Sequence, residues 1–467
     1  MVPEKHIDET IASVVPPGSL FAVGGRVRDE VRAEVEGAIP VKDLDYVVTG
    51  LSFAELQKRL AGLGRVDLVG ASFAVIKLTV DGTTVDVALP RRERSIGVGH
   101  REFAIESGPD VPLNDDLARR DFRMNMLARA LPGGGLIDPY GGVQDIRAAR
   151  IDILTPKSFE EDPLRMLRAA QFSARFGYSV TECTRTSMAA AAPLIETVSG
   201  ERVAEELTKL LVLAPTPSAG LELLRETGVL GHLWPELLEG VDVEQNEWHA
   251  YDVYRHTLAT LDAAPPGDLI LRLAALLHDV GKPRVKDGPH FYRHEHVGED
   301  LVRAMLNRYR FSADVVGSVA HLVRQHMYSA EPDLTDAAIR RFVRRIGPAN
   351  LGRQFDLRKA DIAGSGLPKR DDANERFQAR VWEEVARKPA FSLKDVRITG
   401  GRIIEAMVAR GVAPAGFQGD RRVGAALQWL FEQVTDQPGL NEPNTLASLL
   451  DGYLRDAASG DVVEPHK

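Results

Sequence analysis

The spacing of apolar residues changes near residue 156, and this change constrains the fold more than any other feature of the sequence. Before it, short apolar runs alternate with turn signals, whereas after it apolar residues recur at i, i+3 and i+4. The chain is therefore predicted to be α+β, with a small mixed-sheet head followed by an all-α remainder. Strands are predicted at Leu20–Val23, Tyr46–Val48, Ala74–Val80 and Thr83–Leu89, the last two as a hairpin around Asp81-Gly82. Helices are predicted at Arg165–Phe176, Val203–Leu213 and Ala219–Leu230.

Length and charge limit the class of protein. The 467 residues are too many for one hydrophobic core and predict three or four domains. The 58 basic and 67 acidic residues give a net charge of −9, which leaves room for a local basic groove that binds RNA. Cys183 is the single cysteine, so no intrachain disulfide can form. Because no apolar segment approaches the roughly 20 residues that span a bilayer, and no secretory signal is recognisable, we expect a cytoplasmic protein.

A glycine turn follows the first predicted strand. The residues Gly24-Gly25-Arg26-Val27-Arg28-Asp29 lead from that strand into a predicted helix. Two glycines let backbone N–H groups come close to an anion, and the helix N-terminus adds partial positive charge. Arg28 could then bind phosphate oxygens with two parallel hydrogen bonds. Taken alone, such a motif is more often an ordinary turn.

Two acidic residues lie about fifteen residues further along the chain. Asp43 and Asp45 flank Leu44 at the start of a predicted strand, where residues i and i+2 face the same side. Two carboxylates aimed at one point suit Mg²⁺, which prefers hard oxygen ligands and keeps coordination sites for phosphates. A solvated strand edge would explain the pair in isolation, but next to a phosphate-binding turn the pair predicts two-metal phosphoryl chemistry. Asp86 could supply a third carboxylate.

These motifs resemble those of the class II tRNA nucleotidyltransferases and the related bacterial poly(A) polymerases, which belong to the polymerase-β superfamily. The GGxVRD turn and the DxD pair of that family match Gly24–Asp29 and Asp43–Asp45. Three further motifs follow in family order, and the resemblance covers most of the chain. They are Asp116–Phe122, which contains the family's RRD, Asp138–Gly142 with Asp145, and Glu161–Arg168, which contains EDxxR.

The resemblance implies a polymerase-β-like head and template-independent addition of CCA to the 3′ end of tRNA. The implied partners are tRNA, CTP and ATP, with neither DNA nor a membrane, and the implied cofactor is Mg²⁺ on the catalytic residues Asp43 and Asp45. Nucleotide binding is implied for Gly24, Gly25, Arg28, Arg119, Arg120, Asp121, Asp162, Arg165 and Arg168. Addition of CC only, of the last A only, or of poly(A) remains open, because Phe122–Met126 and Ile151-Asp152 depart from the residues usual in the family.

Asp162 and Arg165 are the residues that would choose the nucleotide. They lie at i and i+3 of a predicted helix and would share a face. A carboxylate accepts from an exocyclic amino group and a guanidinium donates to a ring acceptor. C and A carry such an amino group next to an acceptor, whereas U and G carry carbonyls where the amino group should be. Each good bidentate contact discriminates by about 1–3 kcal/mol. The alternative is a surface ion pair between Glu161 and Arg165, which would add only about a few tenths of a kcal/mol.

A second group of candidate ligands lies in the helical part of the chain. His278-Asp279 ends the apolar run Leu273–Leu277, where both polar groups would be costly to bury without partners and where a metal ion would satisfy both. His256 precedes this pair and Asp361 follows it, an order that resembles the HD phosphohydrolase superfamily. His296 and His326 lie where some HD proteins place ligands of a second metal, although a surface or capped histidine would explain either one alone.

The chemistry of the HD ligands points to a particular group of metals. Imidazole with carboxylate suits Mn²⁺, Fe²⁺, Ni²⁺, Co²⁺ or Zn²⁺ better than Mg²⁺ alone. The metal would acidify a water molecule that attacks a phosphoester. In related bacterial tRNA nucleotidyltransferases this domain hydrolyses 2′,3′-cyclic phosphates and 2′-nucleotides. An alternative of another class is therefore an HD phosphohydrolase with an inactive polymerase head.

Four domains are predicted on this basis. Residues 1–155 form the nucleotidyltransferase head, and residues 156–244 form a helical neck and body that selects the nucleotide and binds RNA. Residues 245–365 form the HD domain, and residues 366–467 form a helical tail that contacts tRNA. The sequence leaves open the metal and substrate of the HD domain, its activity, the oligomeric state and the path of tRNA over the tail.

Overall fold

The computed structural model of the chain describes residues 4–37, 44–69, 75–95, 103–331, 334–368 and 371–459. The chain divides into two compact units. The first unit comprises Met1–Glu239, Pro266–Leu269 and Ala304–Ser312, and the second comprises Gly240–Pro265, Ile270–Arg303 and Ala313–Lys467.

Strands lie in the first unit. Within the described residues they are β1 (Leu20–Val23), β2 (Asp45–Val48), β3 (Arg65–Val69), β4 (Val75–Val80), β5 (Thr83–Ala88), β6 (Arg91–Ser95), β7 (Phe103–Ser107), β8 (Ala128–Ala130), β9 (Leu136–Ile137), β10 (Arg150–Ile151) and β11 (Ser179–Val180). Seven of these form one sheet in the order β3-β4-β5-β2-β1-β8-β9, while β6 pairs with β7 and β10 with β11. In the large sheet β2 and β5 are parallel and the other neighbours are antiparallel, so the predicted mixed sheet is confirmed.

Helices make up most of the remaining described chain. In the first unit they begin with α1 (Glu4–Ala12), α2 (Gly25–Glu36), α3 (Phe53–Leu60), α4 (Leu113–Ala118), α5 (Gly142–Arg147), α6 (Ser158–Glu161), α7 (Arg165–Phe176), α8 (Glu182–Ala191), α9 (Gly200–Leu213), α10 (Pro217–Glu226), α11 (Val229–Leu233) and α12 (Pro235–Leu238). There follow α13 (Val253–Ala263), α14 (Leu269–Leu277), α15 (His294–Arg308), α16 (Ala313–Gln325), α17 (Asp336–Ile346), α18 (Leu351–Gly364), α19 (Ala373–Ala386), α20 (Gly400–Ala409), α21 (Arg421–Asp436) and α22 (Pro443–Ser459).

Local sequence signals account for several of these elements. The predicted hairpin is confirmed, since β4 and β5 pair around Asp81 and Gly82, whose φ values of 47° and 79° are the positive values that a type I′ turn requires. The predicted helix Arg165–Phe176 is α7, which ends at Gly177 with φ 69°. Helix α14 is apolar except for Arg272 and is buried from Leu271 to Leu277, so it serves as a core helix of the second unit.

Two expectations about the helical part are corrected. The predicted helix Ala219–Leu230 is two helices, α10 and α11, because Gly228 has a left-handed φ of 77° between them. The predicted all-α neck contains β11, which pairs in parallel with β10. After α7 ends, the Ser179 amide donates to the Ala149 carbonyl at 2.9 Å and the Thr181 amide to the Ile151 carbonyl at 3.1 Å, so a short strand satisfies the backbone. No helix in the described parts of the chain is both long and apolar enough to cross a membrane.

Candidate functional site

Gly24 forms the sharp turn between β1 and α2. Its φ of 68° and ψ of −135° belong to a region that is open essentially to glycine. A Cβ atom built on Gly24 would lie 2.9 Å from Arg120 Nη1 and 3.5 Å from Asp45 Oδ2. The turn, a carboxylate and a guanidinium therefore meet at the N-terminus of a twelve-residue helix, where partial positive charge favours an anion.

Carboxylates from two neighbouring strands lie next to this turn. Asp45 is the first residue of β2 and is in register with Asp86 of the parallel strand β5. Residues in register on adjacent strands project to the same face of a sheet, with the strands about 5 Å apart. Asp86 is 3.7 Å from Lys77 Nζ and its side chain is 43% exposed, so an ion can reach it. Asp43 lies outside the described residues, and Asp45 with Asp86 provides the hard oxygen ligands that fit Mg²⁺.

Asp116 holds the two arginines of the RRD motif. Its Oδ1 accepts from Arg119 Nε at 3.0 Å and Nη2 at 2.7 Å, and its Oδ2 accepts from Arg120 Nη2 at 3.0 Å. Burial raises the pKa of the Asp116 carboxyl, but the charges of Arg120 and Arg119 outweigh burial and leave this pKa below its usual value. The side chains of Arg119 and Arg120 remain partly exposed, at 25% and 19%. Sequence reasoning assigned no role to Asp116, although its i, i+3 and i, i+4 spacing to two arginines was a usable signal.

Asp121 aligns Arg168 in the same way. The buried carboxylate of Asp121 accepts from Arg168 Nε at 2.7 Å, from Asn125 Nδ2 at 2.8 Å and from the Phe122 amide at 2.9 Å. The charge of Asp121 raises the pKa of Arg168 above its ordinary value, so this cation is permanent. The Asp121 side chain is only 8% exposed, and its contact with Arg168 orients that arginine, whose side chain is 32% exposed.

Arg28 does not present a free guanidinium to the glycine turn. It is buried, and its Nε and Nη2 each donate to Asp29 at 2.9 Å while its Nη1 donates to Asn125 at 3.0 Å. The guanidinium also lies 5.3 Å from the centroid of Phe172 and 5.0 Å from that of Phe176. The Arg28 guanidinium is therefore engaged within the protein, as burial favours, and its predicted phosphate contact would require it to leave these partners.

The predicted base-selecting pair is arranged differently from the expectation. Asp162 precedes α7 in an extended conformation, so it does not share a helix face with Arg165. Arg165 is buried and donates to Ser158 Oγ at 2.8 Å and to the Arg119 carbonyl at 2.6 Å. Asp162 instead pairs with Arg202 of α9 at 3.0 Å, and both side chains are partly exposed. Sequence reasoning missed Arg202, since nothing in the chain links it to a residue forty positions earlier.

Four residues of the second unit converge as predicted for the HD motif. His256 Nε2 lies 3.1 Å from His278 Nε2 and 3.2 Å from Asp361 Oδ1, and His278 Nε2 lies 3.1 Å from Asp279 Oδ2. Helix α18, which contains Asp361, packs tightly on α13, which contains His256. A Cβ on Gly364 would come within 2.3 Å of Thr260 Oγ1, so only glycine permits this approach.

The orientation of the imidazole rings indicates a cation site. His256 Nδ1 is 3.1 Å from the Gly364 carbonyl and His278 Nδ1 is 2.9 Å from the Ala275 carbonyl, so each Nδ1 is the protonated donor. The two Nε2 atoms then face each other 3.1 Å apart, an arrangement that a metal ion would stabilise. Burial lowers the pKa of His278, but the charge of Asp279 outweighs it and leaves this pKa raised, so the position favours positive charge.

A second group shares Asp279. Asp279 Oδ1 lies 3.3 Å from His294 Nε2 and 3.6 Å from His326 Nε2, and these two nitrogens are 3.1 Å apart. Both rings again direct Nδ1 at a backbone carbonyl, that of Phe291 for His294 and that of Val323 for His326. Since Oδ2 of Asp279 faces the first group and Oδ1 the second, the carboxylate can bridge two cations.

The predicted ligand His296 is replaced by His294. His296 is 40% exposed and its Nε2 is 3.5 Å from Glu295. Both histidines belong to α15, where residues two apart point to opposite sides, so only one can face the cluster. His249 and Lys282 were also missed: His249 belongs to a third group with His256 and Asp279, and Lys282 Nζ is 2.6 Å from Asp279. Burial lowers the pKa of His249 to about 4, which keeps its ring neutral.

Three protein families match successive parts of the chain. The Poly A polymerase head domain matches residues 20–152. The probable RNA and SrmB-binding site of polymerase A matches residues 177–240, and the HD domain matches residues 249–363. The head-domain match contains the glycine turn and Asp45, and the HD-domain match contains the histidine and aspartate cluster.

Bacterial relatives are similar over most of their length. The Multifunctional CCA protein of Nitrosococcus oceani is 34% identical over 387 residues, which cover 79% of this chain and 92% of the relative. The protein of the same name from Stenotrophomonas maltophilia is 36% identical over 407 residues, covering 83% and 97%.

Solved structures share the fold at lower identity. The Bacillus stearothermophilus CCA-adding enzyme in complex with CTP is 21% identical with a TM-score of 0.66, over 98% of this chain and 100% of that one. The Thermotoga maritima CCA-adding enzyme complexed with tRNA is 19% identical with a TM-score of 0.55, over 96% and 98%.

Proposed function

Because the chain belongs to the CCA-adding enzyme and poly(A) polymerase family and carries an HD domain, we propose that it adds CCA to the 3′ end of tRNA from CTP and ATP. The observation that supports this most is the close approach of Asp45 and Arg120 across the Gly24 turn. Nucleotidyl transfer needs a carboxylate for metal, a cation for the triphosphate and a turn that admits phosphate at one point. The proposed substrate, tRNA, fits the cytoplasmic location expected from the sequence.

In this proposal Asp43, Asp45 and Asp86 hold Mg²⁺ for nucleotidyl transfer. When bound, Mg²⁺ supplies the charge that activates the 3′-hydroxyl of tRNA and neutralises the departing pyrophosphate. The backbone N–H groups at Gly24 and Gly25 bind phosphate oxygens at the N-terminus of α2.

The remaining cations are held in place by buried acids. Arg119 and Arg120 form ion pairs with Asp116, and Arg168 forms one with Asp121, so the orientation of these arginines does not depend on the nucleotide. Preorganised charges of this kind stabilise developing negative charge without a cost of reorganisation at the moment of reaction.

The nucleotide is chosen by Asp162 and Arg165 in this proposal. The Asp162 carboxylate accepts from the exocyclic amino group of C or A once it leaves Arg202, and Arg165 donates to a ring acceptor once it leaves Ser158 and the Arg119 carbonyl. Residues 1–155 then transfer the nucleotide, 156–244 select it and bind RNA, 245–365 form the HD domain and 366–467 contact tRNA.

Nucleotide incorporation into truncated tRNAs tests the polymerase proposal. A tRNA lacking CCA should gain three nucleotides with CTP and ATP, and Asp45→Ala should abolish this. Arg65→Ala, on β3 at the far edge of the same sheet, should not. Gain of two C residues, of the last A alone, or of an A tract would assign one of the narrower activities. Full incorporation by Asp45→Ala would refute the metal site.

A second activity is favoured by the two groups that share Asp279. We propose that the HD domain hydrolyses phosphoesters with two divalent transition metals, one held by His256, His278 and Asp361 and the other by His294 and His326, with Asp279 between them. Such ligand sets suit Ni²⁺, Mn²⁺, Co²⁺, Fe²⁺ or Zn²⁺, which supply an acidified water.

Metal analysis and hydrolysis of adenosine 2′,3′-cyclic phosphate test this second proposal. Purified protein should contain about two metal ions per chain. His256→Ala should bind less metal and should not hydrolyse the ester, while its CCA addition persists. If Asp45→Ala and wild type both hydrolyse the ester but neither extends tRNA, the HD domain is the active part and the head is inactive. Retention of full hydrolysis by His256→Ala would refute the HD proposal.

A further inference from the structure

A cavity of about 560 Å³ in the second unit opens onto the metal-type ligands of the HD domain. Asp279, His294, His326 and Asp361 line its polar part. Its volume lies within the range of small-molecule sites and exceeds the space that a phosphate alone would need. The part of the ligand that fills the rest must therefore be recognised by the other residues of the cavity.

Four residues that line the cavity carry aromatic rings, and together they are called the aromatic wall: Trp248, His290, Phe291 and Tyr292. Tyr292 is 66% exposed and Trp248 is 52% exposed, which is unusual for large apolar rings. The rings of His290 and Tyr292 are stacked, with centroids 5.1 Å apart and planes 21° apart. Flat exposed rings next to a phosphoester site are suited to stacking against a nucleobase.

Asn374 supplies a polar group on the lining of the same cavity. It is the second residue of α19 and is only 8% exposed. Among the described residues neither Asn374 Nδ2 nor Oδ1 has a hydrogen-bond partner. A buried amide left unpaired on both atoms is costly and calls for a partner that comes from outside the protein. An Asn amide offers one donor beside one acceptor, the pattern that matches N6 and N7 of adenine.

We propose that Asn374 determines base specificity at the HD site by pairing with the edge of a base that stacks on the aromatic wall. The inference rests on the proposed hydrolysis and adds to it the residue that distinguishes a nucleotide from other phosphoesters. A base with a donor beside an acceptor satisfies the amide, and adenine is the expected preference. A phosphoester without a base leaves the amide unpaired, so it gains nothing from Asn374.

Steady-state hydrolysis by the full-length, metal-loaded protein tests this proposal. The two substrates are adenosine 2′,3′-cyclic phosphate and glycerol 1,2-cyclic phosphate, which has the same reacting group and no base. Asn374→Ala should lower kcat/KM for the adenosine ester by about 10- to 100-fold and leave the glycerol ester unchanged. Gln378→Ala is the matched control. Gln378 is another buried amide, one turn further along α19, and its Nε2 also has no hydrogen-bond partner within the described chain. Its replacement should change kcat/KM for neither ester.

The outcomes separate this inference from the proposed function. If wild type hydrolyses neither ester, the proposed hydrolysis fails and the inference fails with it. If wild type hydrolyses both and Asn374→Ala lowers both equally, or lowers neither, hydrolysis stands and the role of Asn374 is overturned. Asn374→Asp keeps the volume and the acceptor but loses the donor, so it decides the question by the same ratio if the alanine variant does not fold.

Discussion

Replacing Gly24 by alanine is the sharpest test of the nucleotide site, because Gly37 at the other end of α2 provides a matched control. Gly24 has φ 68° and ψ −135°, and Gly37 has φ 96° and ψ −176°, so alanine is strained at both positions. Each substitution should cost about 1–3 kcal/mol of stability from backbone strain alone. For a unit of this size the melting temperature should fall by about 2–4 °C per kcal/mol in both variants.

Only Gly24→Ala should also impair nucleotide transfer. Its Cβ would lie 2.9 Å from Arg120 Nη1, closer than side-chain contacts allow, whereas the described residues place no atom within 4 Å of a Cβ on Gly37. Arg120 must then withdraw by a few tenths of an ångström or more from the position beside Asp45. Loss of one preorganised contact to developing charge typically costs about 10²- to 10³-fold in rate.

The assay is single-turnover CTP incorporation into tRNA lacking CCA, measured for both variants below their melting temperatures. Gly24→Ala should be slower by about two orders of magnitude, and Gly37→Ala should stay within about threefold of wild type. Equal rates for the two variants, with equal loss of stability, would show that the close approach at Gly24 is irrelevant to the reaction and would refute the reasoning.

Three further predictions concern the acids and bases of the two sites. Asp86→Asn should reduce CTP and ATP incorporation by at least about 10²-fold if Asp86 binds metal, and unchanged incorporation would limit the site to the DxD pair. His294→Ala should lose about half of the bound transition metal and His296→Ala should lose none, as measured by elemental analysis; the reverse result would restore the prediction from sequence. Arg28→Ala should destabilise the protein by about 1.5–3 kcal/mol in urea unfolding, because it removes two hydrogen bonds to the buried Asp29 carboxylate and leaves it the longer contact to Arg32 Nη1 at 3.5 Å. A loss of CTP affinity without loss of stability would instead return Arg28 to the phosphate site.

The sequence was sufficient for features that depend on neighbours along the chain. The hairpin at Asp81-Gly82 and helix α7 at Arg165–Phe176 were predicted correctly, because turn chemistry and apolar spacing are local properties. The α+β division was confirmed for the same reason. The HD order of His256, His278-Asp279 and Asp361 also required only residue types in succession, and the structure brings these four side chains together.

Tertiary structure decided which of several equivalent side chains faces each site. The sequence contains arginines at 28, 119, 120, 165 and 168. Arg28 and Arg165 are buried and bond to other protein groups, whereas Arg119, Arg120 and Arg168 remain partly exposed. Similarly, His294 and His296 are indistinguishable by type and nearly so by position. Local sequence specifies dihedral angles over a few residues, whereas the distance between Asp45 and Asp86, or between Asn374 and the HD ligands, depends on strand register and on the packing of helices that are far apart along the chain.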